Sequence, residues 1–204
     1  FHGKLILGSL ARAEKISDPR YLDAICKILK KNDNIIYLWA GRAPAPFVTD
    51  YFLSEGVYNK TKFIGWVNTD IYARVLDIML DTFPAGNGVT AIQTMGAGKP
   101  VVIFKSSDSI RTLDLLIGTS GIKASDQNEF VQRTEQIFAI GPEQTESLYT
   151  CAETVEQYIT LANELIEDPA LRSRVGDAFK KFVDEFMCSP DIAERKFTHH
   201  ILSN

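Results

Sequence analysis

The sequence predicts one α/β domain, residues 1–204, built on a doubly wound, Rossmann-like parallel sheet of about six strands with a helical C-terminal portion. Through the first half of the chain, short apolar runs alternate with stretches of helical periodicity, which is typical of βαβ units. The second half carries long amphipathic stripes instead. A chain of 204 residues is long enough for one sizeable core and too short for two domains of ordinary size.

Each strand is predicted from an apolar run that ends at a turn. Strands of a parallel sheet are buried on both faces, so they are nearly continuous apolar runs. By this criterion the strands cover residues 4–9, 35–40, 62–64, 78–81, 100–104 and 121–124. Right-handed crossovers between them would place helices on both faces of the sheet.

The helices are predicted from apolar side chains at helical spacing and from start signals. Asp18-Pro19 and Asp168-Pro169 each place a capping carboxylate before a proline, which is favoured at the first helical position. Between the strands, the first helix runs from Asp18 to the polar stretch 32–34. Further predicted helices cover residues 47–55, 71–76, 90–97 and 110–117, the apolar stripes 155–166 and 171–186, and a shorter segment that begins at Ser189-Pro190.

Composition excludes several classes of function. The net charge is −4, so the chain lacks the basic balance that a nucleic-acid partner requires. The three cysteines, Cys26, Cys151 and Cys188, form no C-x-x-C pair, which favours reduced thiols and a cytoplasmic location. No apolar run approaches the roughly 18 residues of a membrane span. Because the chain starts at Phe1 without a signal-peptide pattern, we expect an N-terminal domain to precede it.

Two cations follow the first predicted strand. Arg12 and Lys15 lie three residues apart just past its end, and ligands of open parallel sheets bind at the carboxyl ends of the strands. The planar fork of Arg12 and the compact charge of Lys15 could both reach a diphosphate. The alternative is a solvated surface pair.

A glycine-containing turn follows the strand at residues 78–81. It covers residues 82–88 and leads into a helix that begins near Val89 or Thr90, so free backbone N–H groups and the positive end of the helix dipole form a natural anion site. The sequence is neither a Walker loop nor a G-x-G-x-x-G fingerprint. The alternative is a plain βα turn in which glycines provide sharp geometry.

A third loop follows the predicted strand 62–64. Backbone groups of Gly65 and Val67 could contact the edge of a base, with Trp66 as a wall, although Trp66 could equally be buried in the core.

His199 and His200 are adjacent in a predicted helix, so they point in different directions and cannot share a metal. We therefore expect these two histidines to hold no metal.

These loops together resemble the C-terminal half of GT-B glycosyltransferases. Residues 87–102, which end in A-G-K-P-V-V, are similar to the donor-site stretch of these enzymes. The sequence L-D-T-F-P at residues 80–84 resembles a strand end of the O-linked N-acetylglucosamine transferase-like family and its bacterial protein-glycosylating relatives. Residues 155–172 resemble the late helices of that family. The likeness covers most of the chain, except residues 106–150.

The resemblance assigns a role to each candidate residue. It implies that Lys15 contacts the donor diphosphate and is the catalytic residue, with Arg12 on the same side of the diphosphate. Backbone groups at Val67 would meet the uracil, beside Trp66. The phosphates would be held by the start of the helix, at Asn87, Gly88, Val89 and Thr90.

The sequence departs from the family at two acidic positions. Gln93 stands where many members carry an acid that binds the ribose, and Ala85 stands where another acid lies eight residues earlier. The resemblance implies a UDP-sugar donor, no cofactor or metal, a protein or glycan acceptor, and an N-terminal domain that completes the site. The two departures favour an alternative, a degenerate non-catalytic binding or scaffolding domain. A sugar-nucleotide epimerase is a further alternative, which would require carboxylates and histidines near the turn.

Overall fold

A computed structural model, which describes residues 3–104, 151–184 and 194, contains a six-stranded sheet whose neighbouring strands all run parallel. The strands are β1 (Leu5–Leu10), β2 (Ile35–Ala40), β3 (Thr61–Gly65), β4 (Ile78–Leu80), β5 (Val101–Phe104) and β6 (Cys151–Ala152). Their order across the sheet is β3-β2-β1-β4-β5-β6. This is the strand order of the Rossmann fold, and its winding reverses direction between β1 and β4.

Seven helices surround the sheet in the described part of the chain. They are α1 (Ala13–Ile16), α2 (Pro19–Lys31), α3 (Pro46–Ser54), α4 (Thr69–Val75), α5 (Val89–Gly96), α6 (Val155–Glu167) and α7 (Pro169–Phe182), and a 3-10 turn spans Tyr58–Lys60. Both Asp-Pro helix starts are confirmed, because the Asp18 and Asp168 carboxylates accept backbone N–H groups of α2 and α7. Thr154 and Gln157 add a reciprocal capping box to α6. Within the described ranges, no helix has the length and apolar character required to cross a membrane.

Successive residues of β1 show which helices lie on which face, because side chains along a strand alternate between faces. The Ser9 hydroxyl bonds to Tyr21 of α2, and α2 packs against α6. On the other face, the Leu76 side chain at the end of α4 lies against Gly8, where it leaves no room for a Cβ atom. Helix α4 packs against α5, and α5 packs against α7. The sheet is therefore covered on both faces, as predicted.

Burial follows the position of each strand in the sheet. Every residue of β2 is buried, and the last four residues of β1 are too. The edge strand β3 has no buried residue, and its Phe63 side chain contacts Trp39 edge to face at 6.4 Å. The centre of the sheet therefore supplies the rigid support for the loops that follow β1 and β4.

The first five predicted strands correspond to β1–β5, with ends that differ by at most one residue. The sixth strand is the two-residue β6, which is too short to produce an apolar run, while the predicted strand at 121–124 lies outside the described residues. The predicted helix at 110–117, the helix from Ser189, and His199 and His200 also lie outside them. Helix α1 was not predicted, because four residues are too few to establish helical periodicity.

Candidate functional site

The sheet opens at its carboxyl edge between β1 and β4. Pairing between these strands ends at Gly8–Met79, whereas β1 remains paired with β2 as far as Leu10–Ala40. Ligands of doubly wound folds bind where the winding of the sheet reverses, outside the carboxyl ends of the strands. The loops after β1 and β4 border this opening, and they contain most of the candidate residues.

Two side-chain hydrogen bonds bring these loops together. The Lys15 ammonium group donates to the Gly86 carbonyl oxygen. The Thr90 hydroxyl donates to the Leu10 carbonyl oxygen, at 3.0 Å. Lys15 lies in the short helix α1, a correction to its expected place in a loop, and Arg12 is the exposed residue before the first turn of that helix. The expected proximity of Lys15 to the glycine-containing turn is therefore present.

The turn between β4 and α5 is held by its own polar groups. The Asp81 carboxylate accepts the Asn87 N–H at 2.7 Å, and the Thr82 hydroxyl donates to the Ala85 carbonyl at 2.6 Å. Gly88 immediately precedes α5 with φ +58°, a conformation that side chains other than glycine rarely adopt. The first bond within the helix starts at the Ala91 N–H. The N–H groups of Val89 and Thr90 therefore stand at the positive end of α5, where an anion is stabilised.

Phe83 anchors this turn in the core, a role that the sequence analysis missed. Its ring stacks on Phe104 at 4.4 Å and meets Tyr21 and Tyr158 edge to face at 5.3 and 5.2 Å. Phe83 is fully buried. A large aromatic side chain among small and polar turn residues was the available signal. Aromatic packing of this kind gives a short turn a defined position.

The loop after β3 lies along the same edge of the sheet. The Gly41 N–H donates to the Gly65 carbonyl at 2.8 Å, and a Cβ atom on Gly41 would lie 2.5 Å from the Ala11 carbonyl oxygen. The loop after β2 therefore contacts both the loop after β1 and the end of β3. Trp66 is 79% exposed, which removes the alternative that it is buried in the core, and Val67 packs partly against the core.

Gln93 contacts a residue that the sequence analysis did not single out. Its side-chain amide donates to the Asp70 carboxylate at 2.8 Å, which links α5 to the first turn of α4. Gln93 lies one helical turn after Val89, about 6 Å along α5. The Gln93 Oε1 and Asn87 Nδ2 atoms are buried and have no hydrogen-bond partner among the residues that the structure describes. Such unsatisfied groups are expensive in a folded protein and are often found at functional sites.

Burial raises the pKa values of the tyrosines beneath the opening. Desolvation raises the pKa of Tyr37 to about 12 and raises the pKa values of Tyr21 and Tyr158 well above the ordinary value. These hydroxyl groups are neutral at physiological pH, as ordinary tyrosines are, and burial keeps them neutral at higher pH. Among the residues that the structure describes, no group of three or more His, Cys, Asp and Glu side chains could hold a metal ion.

Solved structures similar to this one in fold include GT-B glycosyltransferases. The Thermobaculum terrenum O-GlcNAc transferase mutant K341M is 18% identical with a TM-score of 0.67, and the match covers 98% of this chain and 35% of that one. The pneumococcal O-GlcNAc transferase GtfA, in complex with UDP and GlcNAc, is 13% identical with a TM-score of 0.63, covering 99% and 37%.

One match is to an isolated domain. The C-terminal domain of the group 1 glycosyl transferase LpcC from Francisella tularensis is 18% identical with a TM-score of 0.60, covering 91% of this chain and 87% of that one. This chain therefore spans about a third of the O-GlcNAc transferases and most of the LpcC domain. No protein-family model and no curated protein matches the sequence. The fold is that of the C-terminal domain of GT-B glycosyltransferases, as the sequence predicted.

Proposed function

We propose that this chain is the donor-binding domain of a glycosyltransferase that transfers a sugar from a UDP-sugar to an acceptor without a metal ion. The contact between Lys15 and the Gly86 carbonyl carries the proposal. This contact holds the Lys15 ammonium group against the turn that leads into α5. The turn lies at the carboxyl edge of the sheet between β1 and β4, where the winding reverses. The UDP bound to GtfA, a protein of the same fold, supports the choice of nucleotide.

The leaving diphosphate would be stabilised by this charge arrangement. Lys15 keeps one N–H on Gly86 and has further donors for phosphate oxygens. The N–H groups of Val89 and Thr90, preceded by Gly88, add fixed dipoles, and Arg12 is an exposed cation in the loop after β1. Preorganised donors aimed at developing charge lower the barrier to departure of the diphosphate. In this proposal Lys15 is the catalytic residue of the domain.

The uridine would extend from the turn towards the loop after β3. Trp66 offers an exposed aromatic face there, and the backbone at Val67 offers groups for the edge of the uracil. The Asp70–Gln93 pair links the helix that follows this loop to the helix that follows the turn. Ribose lies between the base and the diphosphate of a nucleotide, so its hydroxyls would meet this pair, and Asp70 would supply the carboxylate that Gln93 lacks.

A second domain would complete the enzyme. The chain spans 35% and 37% of the two O-GlcNAc transferases of the same fold, whose remaining length lies outside the match. We assign the acceptor contacts and the general base to an N-terminal domain of the same protein. The isolated chain is accordingly expected to bind UDP and to transfer no sugar.

A non-catalytic binding domain is the second candidate, and Gln93 and Ala85 favour it because neither is an acid. A ligand that binds the native state raises the melting temperature. A domain that no longer binds the nucleotide-sugar donor would therefore gain no thermal stability from UDP. The epimerase alternative has less support, since the one carboxylate described within the turn, Asp81, is occupied by the Asn87 N–H.

Calorimetry with UDP and uridine on Lys15→Ala tests the proposal. Loss of a charge-assisted hydrogen bond weakens binding by roughly 1.5–3 kcal/mol, and about 1.4 kcal/mol is tenfold in affinity. We expect UDP to bind the variant roughly 10- to 150-fold more weakly, while uridine, which lacks phosphates, binds both proteins equally. Lys27→Ala is the matched control, because Lys27 pairs with Asp23 on the surface of α2.

The outcomes separate three readings of Lys15. Equal weakening of UDP and uridine would mean general damage to the domain. Unchanged binding of both ligands would place Lys15 in the solvated surface and reject the diphosphate site. Selective loss of UDP affinity, absent in Lys27→Ala, supports the proposal.

A further inference from the structure

Four buried hydroxyl groups cluster beneath the carboxyl ends of β1 and β4. The Ser9 hydroxyl lies 2.5 Å from the Tyr21 hydroxyl and accepts from the Tyr37 hydroxyl at 2.9 Å. The Tyr158 hydroxyl belongs to α6 and lies close by, since its ring centroid is 6.4 Å from that of Tyr21. All four side chains are almost completely buried. The proposed reaction uses none of them directly.

The hydroxyls bond to backbone carbonyls at the end of β4. Ser9 donates to the Leu80 carbonyl at 2.7 Å, and Tyr21 contacts the same oxygen at 3.1 Å. Tyr158 donates to the Asp81 carbonyl at 2.8 Å. These carbonyls follow Met79, the last β4 residue that pairs with β1. Side-chain hydrogen bonds therefore replace backbone hydrogen bonds at the point where pairing between β1 and β4 stops.

Packing alone does not explain the choice of tyrosine. Phenylalanine would fill the same volume, and burying a hydroxyl is unfavourable unless it forms a hydrogen bond. Each tyrosine is neutral at physiological pH, and burial raises the pKa of the phenol still further above that range. The hydroxyls of Ser9 and Tyr21 thus both lie against the Leu80 carbonyl, and the Tyr158 hydroxyl donates to the Asp81 carbonyl.

The same segment controls the start of α5. The Asp81 backbone accepts from Tyr158, while the Asp81 carboxylate accepts the Asn87 N–H at 2.7 Å. Asn87 precedes Gly88, which opens the helix. A displacement of Asp81 is therefore transmitted through one hydrogen bond to the N–H groups at the head of α5.

We propose that Tyr158 and Tyr21 are positioning residues for the diphosphate, because they fix the end of β4 and thereby the turn that presents the α5 amides. This inference rests on the proposed function, in which those amides bind phosphate oxygens. Neither tyrosine touches the nucleotide. Their effect is confined to the part of the ligand that the turn contacts, so the uridine portion is insensitive to them.

The test measures UDP and uridine affinity and the melting temperature for Tyr158→Phe, Tyr21→Phe and the double variant. Loss of one neutral hydrogen bond corresponds to a roughly two- to tenfold change in affinity. We expect that loss for UDP in each single variant, a larger loss in the double variant, and unchanged affinity for uridine. Tyr72→Phe is the matched control, because the Tyr72 hydroxyl is also buried but has no hydrogen-bond partner in the described part of the chain.

A purely structural role predicts another result, in which the melting temperature falls while the ratio of UDP to uridine affinity stays at the parent value. That result would overturn the inference and leave the proposed function intact. If the parent protein itself binds UDP no better than uridine, the diphosphate site is wrong and both proposals fall. Should Tyr158→Phe fail to fold, Tyr21→Phe decides the question by the same ratio.

Discussion

Asp70 and Gln93 join two helices through one side-chain hydrogen bond of 2.8 Å at the carboxyl edge of the sheet. The amide donates to one carboxylate oxygen of Asp70, and Asp70 is an exposed residue. Two hydroxyls on neighbouring carbons of a ribose are well matched to a carboxylate, which has several acceptor positions. Asp70 is therefore the residue expected to distinguish ribose from deoxyribose in the proposed site.

Replacing Asp70 should remove this discrimination. We expect the parent to bind UDP roughly tenfold or more tightly than 2′-deoxy-UDP, because a hydrogen bond to a charged group contributes about 1.5–3 kcal/mol. In Asp70→Ala the two ligands should bind with similar affinity, as measured by calorimetry. Asp50→Ala, which removes an exposed carboxylate from α3, is the control. If the parent binds UDP and 2′-deoxy-UDP with equal affinity, Asp70 does not contact the ribose.

Helix α7 is positioned by a backbone contact with the end of α5. A Cβ atom on Gly176 would lie 2.2 Å from the carbonyl oxygen of Gly98, far inside the distance of any real contact. Gly98 itself has φ +73° and lies just after α5. The absence of a side chain at Gly176 therefore lets α7 approach α5, which begins at the proposed phosphate site.

Gly176→Ala should destabilise the domain, contrary to helix propensity. Alanine within a helix normally stabilises by about 1 kcal/mol relative to glycine. Here the clash is with backbone, so the helices must separate, and overpacking of this kind lowers the free energy of unfolding by roughly 1–3 kcal/mol. Urea denaturation measures the difference. Ser173→Ala, at an exposed position of α7, should leave stability nearly unchanged, and stabilisation by Gly176→Ala would contradict the described contact.

The whole molecule should lose stability at alkaline pH because its core contains several buried tyrosines. Burial raises the pKa of Tyr37 to about 12, and it raises those of Tyr21, Tyr72 and Tyr158 as well. Below pH 10 these side chains are neutral in both the folded and the unfolded chain. Above about pH 10 the unfolded chain ionises first, so each tyrosine lowers the free energy of unfolding by about 1.4 kcal/mol per pH unit until its folded pKa is reached.

Urea midpoints between pH 8 and 11.5 measure this slope. Tyr72→Phe isolates one tyrosine, because its hydroxyl forms no hydrogen bond within residues 3–104 and 151–184. We expect the variant to show a shallower alkaline slope by about one tyrosine and an unchanged profile below pH 9. Identical slopes in the two proteins would mean that Tyr72 is accessible to solvent.

The sequence by itself determined the features that depend on neighbouring residues. Apolar runs predicted β1–β5, and two Asp-Pro pairs predicted the starts of α2 and α7, because hydrophobic periodicity and helix capping are local. The carboxyl ends of parallel strands share one edge, so the meeting of Lys15 with the turn before α5 could also be predicted. The two-residue strand β6 could not, since it carries no pattern of its own.

Only the tertiary structure decided which distant side chains complete the site. The hydrogen bond between Tyr158 and Asp81 joins residues 77 positions apart. The hydrogen bond between Gln93 and Asp70 joins residues 23 positions apart on two different helices. Phe83 is an anchor because Phe104 and two tyrosines surround it. Such contacts depend on the strand order β3-β2-β1-β4-β5-β6 and on how the helices pack over it. No local pattern encodes them, because their energies arise from groups that meet only after the chain has folded.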